Sequence, residues 1–221
     1  MPFPKDFNPT YYEDLQKQMA ARVIKEDVPG EVRLVAGVDV AYQKEGEKVI
    51  AAITVLDAAS LVLLETAIHE EEVSFPYVPG LFSFREIPPV LGAWEKLKQK
   101  PDLLVCDGQG YAHPRRFGLA CHLGLELDLP TIGCGKTRLL GTYEEPEQER
   151  GSHSALLDGE ECIGAVLRTQ ESIKPVFVSV GHKVSLPTAT DWVLRLCTEY
   201  RLPETTRTAD HAVRLAMKAA E

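Results

Sequence analysis

Three strand-like runs joined by connections too short to cross a sheet constrain this chain more than any other feature. Glu31–Tyr42, Lys48–Leu56 and Leu61–Glu70 are separated only by Gln43-Lys44-Glu45-Gly46-Glu47 and by Asp57-Ala58-Ala59-Ser60. A parallel crossover needs a dozen or more residues, so these runs read as an antiparallel meander. After the Pro-rich loop Phe75–Gly80 the period changes, and Leu91, Trp94 and Leu97 recur at helical spacing. A strand ending at Cys106, a helix from about Pro114 to Glu126 and a strand over Leu129–Cys134 follow. A helix between two strands implies parallel pairing through a right-handed crossover. Three antiparallel strands, then helix, strand, helix, strand, is the element order of a ribonuclease-H-like α/β fold, a mixed sheet flanked by helices. In that order the first and fourth strands are parallel neighbours, about 4.8 Å apart.

The remaining elements complete the expectation. Asn8 caps a first helix over 11–26, closed by Val28-Pro29-Gly30. Residues 142–161 read as a polar, exposed excursion, followed by strands Cys162–Thr169 and Pro175–Val180 and helices near 188–200 and 206–219. The 221 residues suit one domain spanning 1–221, expected to be a monomer. No apolar stretch approaches the ~18 residues of a membrane span, and the first residues carry no secretory signal. The expectation is a cytoplasmic protein without a membrane partner. Five cysteines include no Cys-x-x-Cys pair, which argues for buried free thiols over a zinc site. A net charge of −9 excludes a broad basic coat for nucleic acid but leaves room for a local grip on phosphate.

Three acidic residues stand out against this frame. Asp39 sits near the end of the apolar run Arg33-Leu34-Val35-Ala36-Gly37-Val38-Asp39-Val40, and Asp107 follows Leu103-Leu104-Val105-Cys106 just before Gly108-Gln109-Gly110. A carboxylate at the mouth of a buried strand is costly unless paired, and a hard divalent cation pairs it well. Parallel pairing of the first and fourth strands would bring the two together at one sheet edge. Alternation puts Asp39 on the face of Val35, with Gly37 leaving room beside it. Taken singly, each is an ordinary strand-end or turn aspartate. Glu86 has a sharper competitor, because Ser83-Phe84-Arg85-Glu86 matches a capping box. That box would put Pro88 inside the helix, so Pro88-Pro89 read better as its opening residues, with Glu86 free to ligate.

Tyr77, in Pro76-Tyr77-Val78-Pro79-Gly80, sits at the tip of a stiff loop, where it either plugs the core or is inserted into a base stack. His113, Arg115, Arg116, Lys136, Arg138, His182 and Lys183 cluster near the acidic residues in sequence. Arg115 and Arg116 open the expected third helix, where terminal amides also favour phosphate. Gly133-Cys134-Gly135-Lys136-Thr137 hints at a P-loop, but Pro130 stands where its first glycine belongs. A lysine at a strand end near two carboxylates suits a phosphate or an attacking water instead.

Together these words resemble the endonuclease V family. Gly37-Val38-Asp39-Val40, Pro76–Gly80, Phe84-Arg85-Glu86, Asp107–Gly110, His113-Pro114-Arg115-Arg116 and Gly133-Cys134-Gly135-Lys136 carry the match. Gly181–Ser185, Leu202-Pro203-Glu204 and Thr206–Asp210 extend it, so that it covers nearly the whole chain from about residue 12. The resemblance implies an Mg²⁺-dependent DNA repair nuclease, with Mn²⁺ as substitute, acting on hypoxanthine as deoxyinosine. It implies cleavage of the second phosphodiester bond 3′ to the lesion, leaving 3′-hydroxyl and 5′-phosphate ends. Asp39 and Asp107 are then metal ligands with Glu86 completing the site. Lys136 is the active-site lysine, and Asp210 is a fourth acidic position. Tyr77, Pro79, Gly80, His113, Arg115 and Arg116 are the nucleic-acid contacts.

Gln109 departs from the His or Asn of many members, and His211 leaves open which of Asp210 and His211 faces the metal. Inosine-containing RNA is a second candidate substrate. The rivals are a structure-selective nuclease indifferent to inosine and a non-catalytic binding module. The intact acidic set speaks against the module, since a binder has no use for like charges facing phosphate.

Overall fold

A computed structural model describes residues 7–28, 30–43 and 48–219. The closing turn expected at Pro29 and most of the turn over Gln43–Glu47 lie outside them. The order is α1 (Pro9–Ala20), β1 (Leu34–Tyr42), β2 (Lys48–Asp57), β3 (Leu63–Glu72), α2 (Phe82–Lys96), β4 (Leu103–Asp107) and α3 (Leu119–Leu127). Then come β5 (Thr131–Gly135), β6 (His153–Asp158), β7 (Glu161–Leu167), β8 (Val176–His182), α4 (Leu186–Leu196) and α5 (Glu204–Ala219). Eight strands form one sheet in the order β3-β2-β1-β4-β5-β8-β7-β6. β1–β3 are the expected antiparallel meander, and β1, β4 and β5 run parallel.

Three expectations need correction. Residues 142–161 are not simply an excursion, because His153–Asp158 forms the edge strand β6, antiparallel to β7. An edge strand is solvated on one side, so its sequence reads as polar although Leu156 is fully buried. Beyond β5 the sheet turns antiparallel again, through β8, β7 and β6. The second correction concerns α2, which begins at Phe82 and carries Pro88 and Pro89 inside it. Each proline costs one intrahelical donor. Burial of Ile87, Val90 and Ala93 against the sheet offsets that loss. Third, α3 begins at Leu119 rather than near Pro114. The amides of Gly110 and Tyr111 bond to Ser179 and Val180 of β8, and Gly118 N–H bonds back to Gly110. Those contacts hold 110–118 as a tight loop, with Arg116 at φ 58°.

Helices cover both faces. Val90 of α2 and Leu123 of α3 pack on Ala36, Val38, Ile53, Leu104 and Cys106. On the other face Val193 and Leu196 of α4 pack on Val35, Val105, Ile132 and Val178. Val213 of α5 packs there on Ile50 and Ala52. All five cysteines are free, four buried and Cys162 exposed. Among the described residues no helix is long and apolar enough to cross a membrane.

Candidate active site

The parallel strands deliver the candidate residues to one edge. β1 and β4 pair up to Val38 and Cys106, so Asp39 and Asp107 follow side by side, Asp107 as the last residue of β4 and Asp39 where β1 runs on past it. Lys136 follows Gly135, the last residue of β5, on the far side of Asp107, and its ammonium donates to an Asp107 carboxylate oxygen. The crevice outside such strand ends is where ligands bind in open α/β sheets.

The fourth acidic position arrives from α5. Gly37 makes this possible, since a Cβ there would lie 1.9 Å from the Thr205 carbonyl oxygen. The room that Gly37 leaves is filled by the start of α5. One turn on, Asp210 is half-buried and close enough to influence Asp39 and Lys136. Asp210 also accepts from Arg214 at 3.1 Å. His211 is exposed and faces a groove against Leu63 and Ile68 of β3 instead.

The electrostatics record crowding of like charge. Burial first, then Asp107 and Asp210, push the Asp39 carboxyl up to about 6, against a stabilising bond from the Val40 amide. Glu86, on α2 and 6% exposed, is raised well above the usual carboxylate range by burial and by Asp39 and Asp107. Burial works against charge on Lys136, but its bond to Asp107 and the surrounding carboxylates raise it overall. Among the described residues no three such side chains are already drawn into a ligand cage. The donor chemistry nevertheless fits a hard divalent cation, because hard oxygens that repel one another are what such an ion neutralises.

A stability effect follows. A carboxyl raised in the folded state binds protons that the unfolded chain has released, so metal-free stability falls as pH rises from about 4 to about 6. In EDTA, Asp39→Asn should be more stable than wild type at pH 7.5, by on the order of 2 kcal/mol after allowance for partial exposure. The advantage should disappear toward pH 4. Thermal melts at both pH values decide it, and an equal difference at each would show that this carboxylate feels no repulsion.

Beside the acidic residues lies a cavity of about 610 Å³. Glu86, Asp107 and Gln109 line one side, and Tyr77, Pro79 and Gly80 another. Tyr77 is 70% exposed, so it is a loop tip and not a core plug. Phe75, buried at the loop base, stacks on Phe84 at 5.6 Å. The Gly80 carbonyl accepts from Gln16 at 2.9 Å and from Arg115 at 2.8 Å. Arg115 thus latches the loop, with Glu13 at 3.7 Å as a further partner. Arg116 is committed elsewhere, to Asp158 at 2.8 Å and Glu161 at 2.7 Å. Neither arginine opens a helix. His113 also lines the cavity, and burial followed by Arg115 lowers it to about 4, so it is neutral at pH 7.

One contributor, Tyr42, escaped the sequence reading, and another, Gln109, was noted there only as a departure from the family. The Gln109 amide nitrogen donates to the Thr137 carbonyl at 3.1 Å, while its carbonyl oxygen is buried without a partner among the described residues. Tyr42 ends β1 near Glu86, with the Arg85 guanidinium 4.6 Å from its ring centroid. No spacing rule signals either of them. The Gly133-x-Gly135 signal has a plain cause, because a Cβ at Gly133 would lie 2.4 Å from the Gly110 amide nitrogen.

A family model described as Endonuclease V matches residues 17–211. The chain belongs to the endonuclease V family. By that membership it is an endonuclease that hydrolyses nucleic acid, and the family is metal-dependent. An Endonuclease V of Rippkaea orientalis is 53% identical over 196 residues, covering 89% of this chain and 86% of that protein. The crystal structure of Endonuclease V from Streptomyces avermitilis superposes with a TM-score of 0.92 at 49% identity, over 99% of this chain and 97% of that one. The Ciona intestinalis Endonuclease V, in complex with a DNA containing an inosine followed by a ribo-adenosine, gives 0.84 at 27% identity, over 96% and 98%. The A. aeolicus Argonaute shares the fold alone, at a TM-score of 0.55 and 16% identity, over 97% of this chain and 34% of that one. The ribonuclease-H-like architecture expected from element order is therefore the one present.

Proposed function

We propose that this chain is a repair nuclease for DNA containing deoxyinosine, hydrolysing the second phosphodiester bond 3′ to the lesion with Mg²⁺, or Mn²⁺ in its place. The observation that carries the reading is the juxtaposition of Asp39, Glu86, Asp107 and Lys136 with a cavity walled by the Tyr77 loop. The inosine-containing DNA held by the Ciona relative agrees with it.

Asp39 and Asp107, with Glu86 and Asp210 close by, would hold the cation. When bound, it supplies Lewis acidity toward the phosphate and a more acidic water. Water adds to phosphorus and the P–O3′ bond breaks, leaving 3′-hydroxyl and 5′-phosphate. Lys136 stands where charge develops on the phosphate oxygens and offsets it. Tyr77, rigidly presented by its two prolines, fills the gap left when the base turns out of the stack. The cavity receives the base. His113, kept neutral, and Gln109 line it, so this wall carries no charge against the base. The chain acts as a single-domain monomer in the cytoplasm, with inosine in RNA as the alternative substrate of the same site.

A labelled duplex with one inosine tests this directly. Mg²⁺ should yield one nick at the second bond 3′ to the lesion, EDTA should abolish it, and an undamaged duplex should stay intact. Equal cutting of both duplexes would favour a structure-selective nuclease. Tight binding without cutting would favour a non-catalytic module.

A further inference from the structure

We propose that a cleft on the far side of Lys136 is a second nucleic-acid site, gripping the phosphodiester backbone on the 3′ side of the cut. This rests on the reading above for its polarity. Lys136, Thr137, Arg138, Tyr143, Lys174 and Arg201 line the cleft, whose volume is about 770 Å³. Arg201 builds its floor, donating to the carbonyls of Lys136 at 2.6 Å, Lys174 at 2.8 Å and Pro175 at 2.8 Å. The same guanidinium therefore ties the cleft to the residue bonded to Asp107.

The cleft carries an excess of positive charge. Arg138, Lys174 and Arg201 have no carboxylate partner among the described residues. The one acidic lining residue, Glu145, is engaged by Arg168 at 2.8 Å. In a chain of net charge −9, Arg138 and Lys174 beside the carbonyl-bound Arg201 give the cleft a local positive charge. Arg115 and Arg116, by contrast, face carboxylates, Glu13 for the first and Asp158 and Glu161 for the second. Tyr143 adds a flat surface, its ring edge-on to Phe177 at 5.6 Å and 5.8 Å from the Arg138 guanidinium. Cations interleaved with an aromatic face suit a sugar–phosphate backbone and an adjacent base.

Position sets the polarity. Asp107 lines the base cavity and Lys136 lines the cleft, so the two sites flank the reacting bond. A strand whose base enters the cavity, and whose second 3′ bond reaches the carboxylates, runs on into the cleft.

The test crosses protein charge with strand length, using the full chain in Ca²⁺ so that binding is read without turnover. One inosine duplex extends about ten base pairs beyond the cut; the other ends one nucleotide past it. Wild type should bind the long duplex on the order of tenfold more tightly, and Arg138→Ala/Lys174→Ala should lose that preference. Removing two phosphate-neutralising cations should also lower the slope of log K against log salt on the long duplex by about 2. Arg138→Lys/Lys174→Arg should restore both, which separates charge from folding. A double-alanine variant that keeps the wild-type slope and length preference overturns the proposal. So does equal weakening on both duplexes, the result expected if the two cations act only through the general field of the protein. Should wild type ignore inosine, the proposed function fails, and the slope on undamaged duplex still judges the cleft by the same criterion.

Discussion

Asp107→Ala is expected to lower single-turnover cleavage by about 10³-fold or more while inosine-duplex binding stays near wild type. Asp107 lies between Asp39 on β1 and Lys136 after β5, so its removal opens the centre of the cation-holding set and releases the Lys136 ammonium. Several kcal/mol of transition-state charge stabilisation depend on that set, and each step of about 1.4 kcal/mol is tenfold in rate. Binding draws on other groups: the Tyr77 loop, the cavity and the cations beyond Lys136. Loss of a negative charge facing phosphate favours the variant there. Rapid-quench cleavage at saturating enzyme, with affinity measured separately in Ca²⁺, checks both halves. A rate within about threefold of wild type would remove Asp107 from the mechanism.

The largest stability effect is expected at a residue with no side chain. Gly37→Ala puts a Cβ 1.9 Å from the Thr205 oxygen and 2.2 Å from its carbonyl carbon. Both are backbone atoms at the first turn of α5. Thr54 Oγ1 bonds that same carbonyl at 3.3 Å and lies 2.8 Å from Thr208 Oγ1, which holds the turn in place. No side-chain rotation relieves the clash, so α5 or β1 must move. Overpacking of this kind costs about 3 kcal/mol, or roughly 10 °C in melting temperature for a chain of this size. The shift also carries Asp210 away from Asp39, so cleavage should fall in the molecules that remain folded. A melting temperature unchanged within about 2 °C would show that the α5 contact is looser than the packing indicates.

Local sequence was most informative where a short connection or a strand period left few options. The meander over β1–β3 followed from two connections too short to cross a sheet, and parallel β1–β4 pairing from the ribonuclease-H-like order of the elements. Asp39 and Asp107 were therefore legible as neighbours, since each comes late in an apolar run. Side-chain partners and the starting points of helices were less so. Pro88 and Pro89 argued for a helix start, yet tertiary burial of Ile87 and Val90 extends α2 back through Glu86. Arg115 and Arg116 look alike in sequence to Arg138 and Lys174, and nothing local separates a structural cation from a free one. In the packed structure the first pair is bound to Gly80, Asp158 and Glu161, while the second pair faces the cleft without a carboxylate, Arg138 keeping one bond to the Gly141 carbonyl.

The order of elements, the strands that must pair and the carboxylates at their ends are properties of the chain read alone. They depend on chain reach and side-chain period, which are local quantities. Packing in three dimensions settled the rest: Gly37 seats α5, Asp210 rather than His211 turns toward Asp39, and Arg115 and Arg116 are spent on the fold. Each of these depends on atoms far apart in the chain or on the rotation of one helix about its axis. No local period records such distances, because they are set only when the helices settle on the sheet.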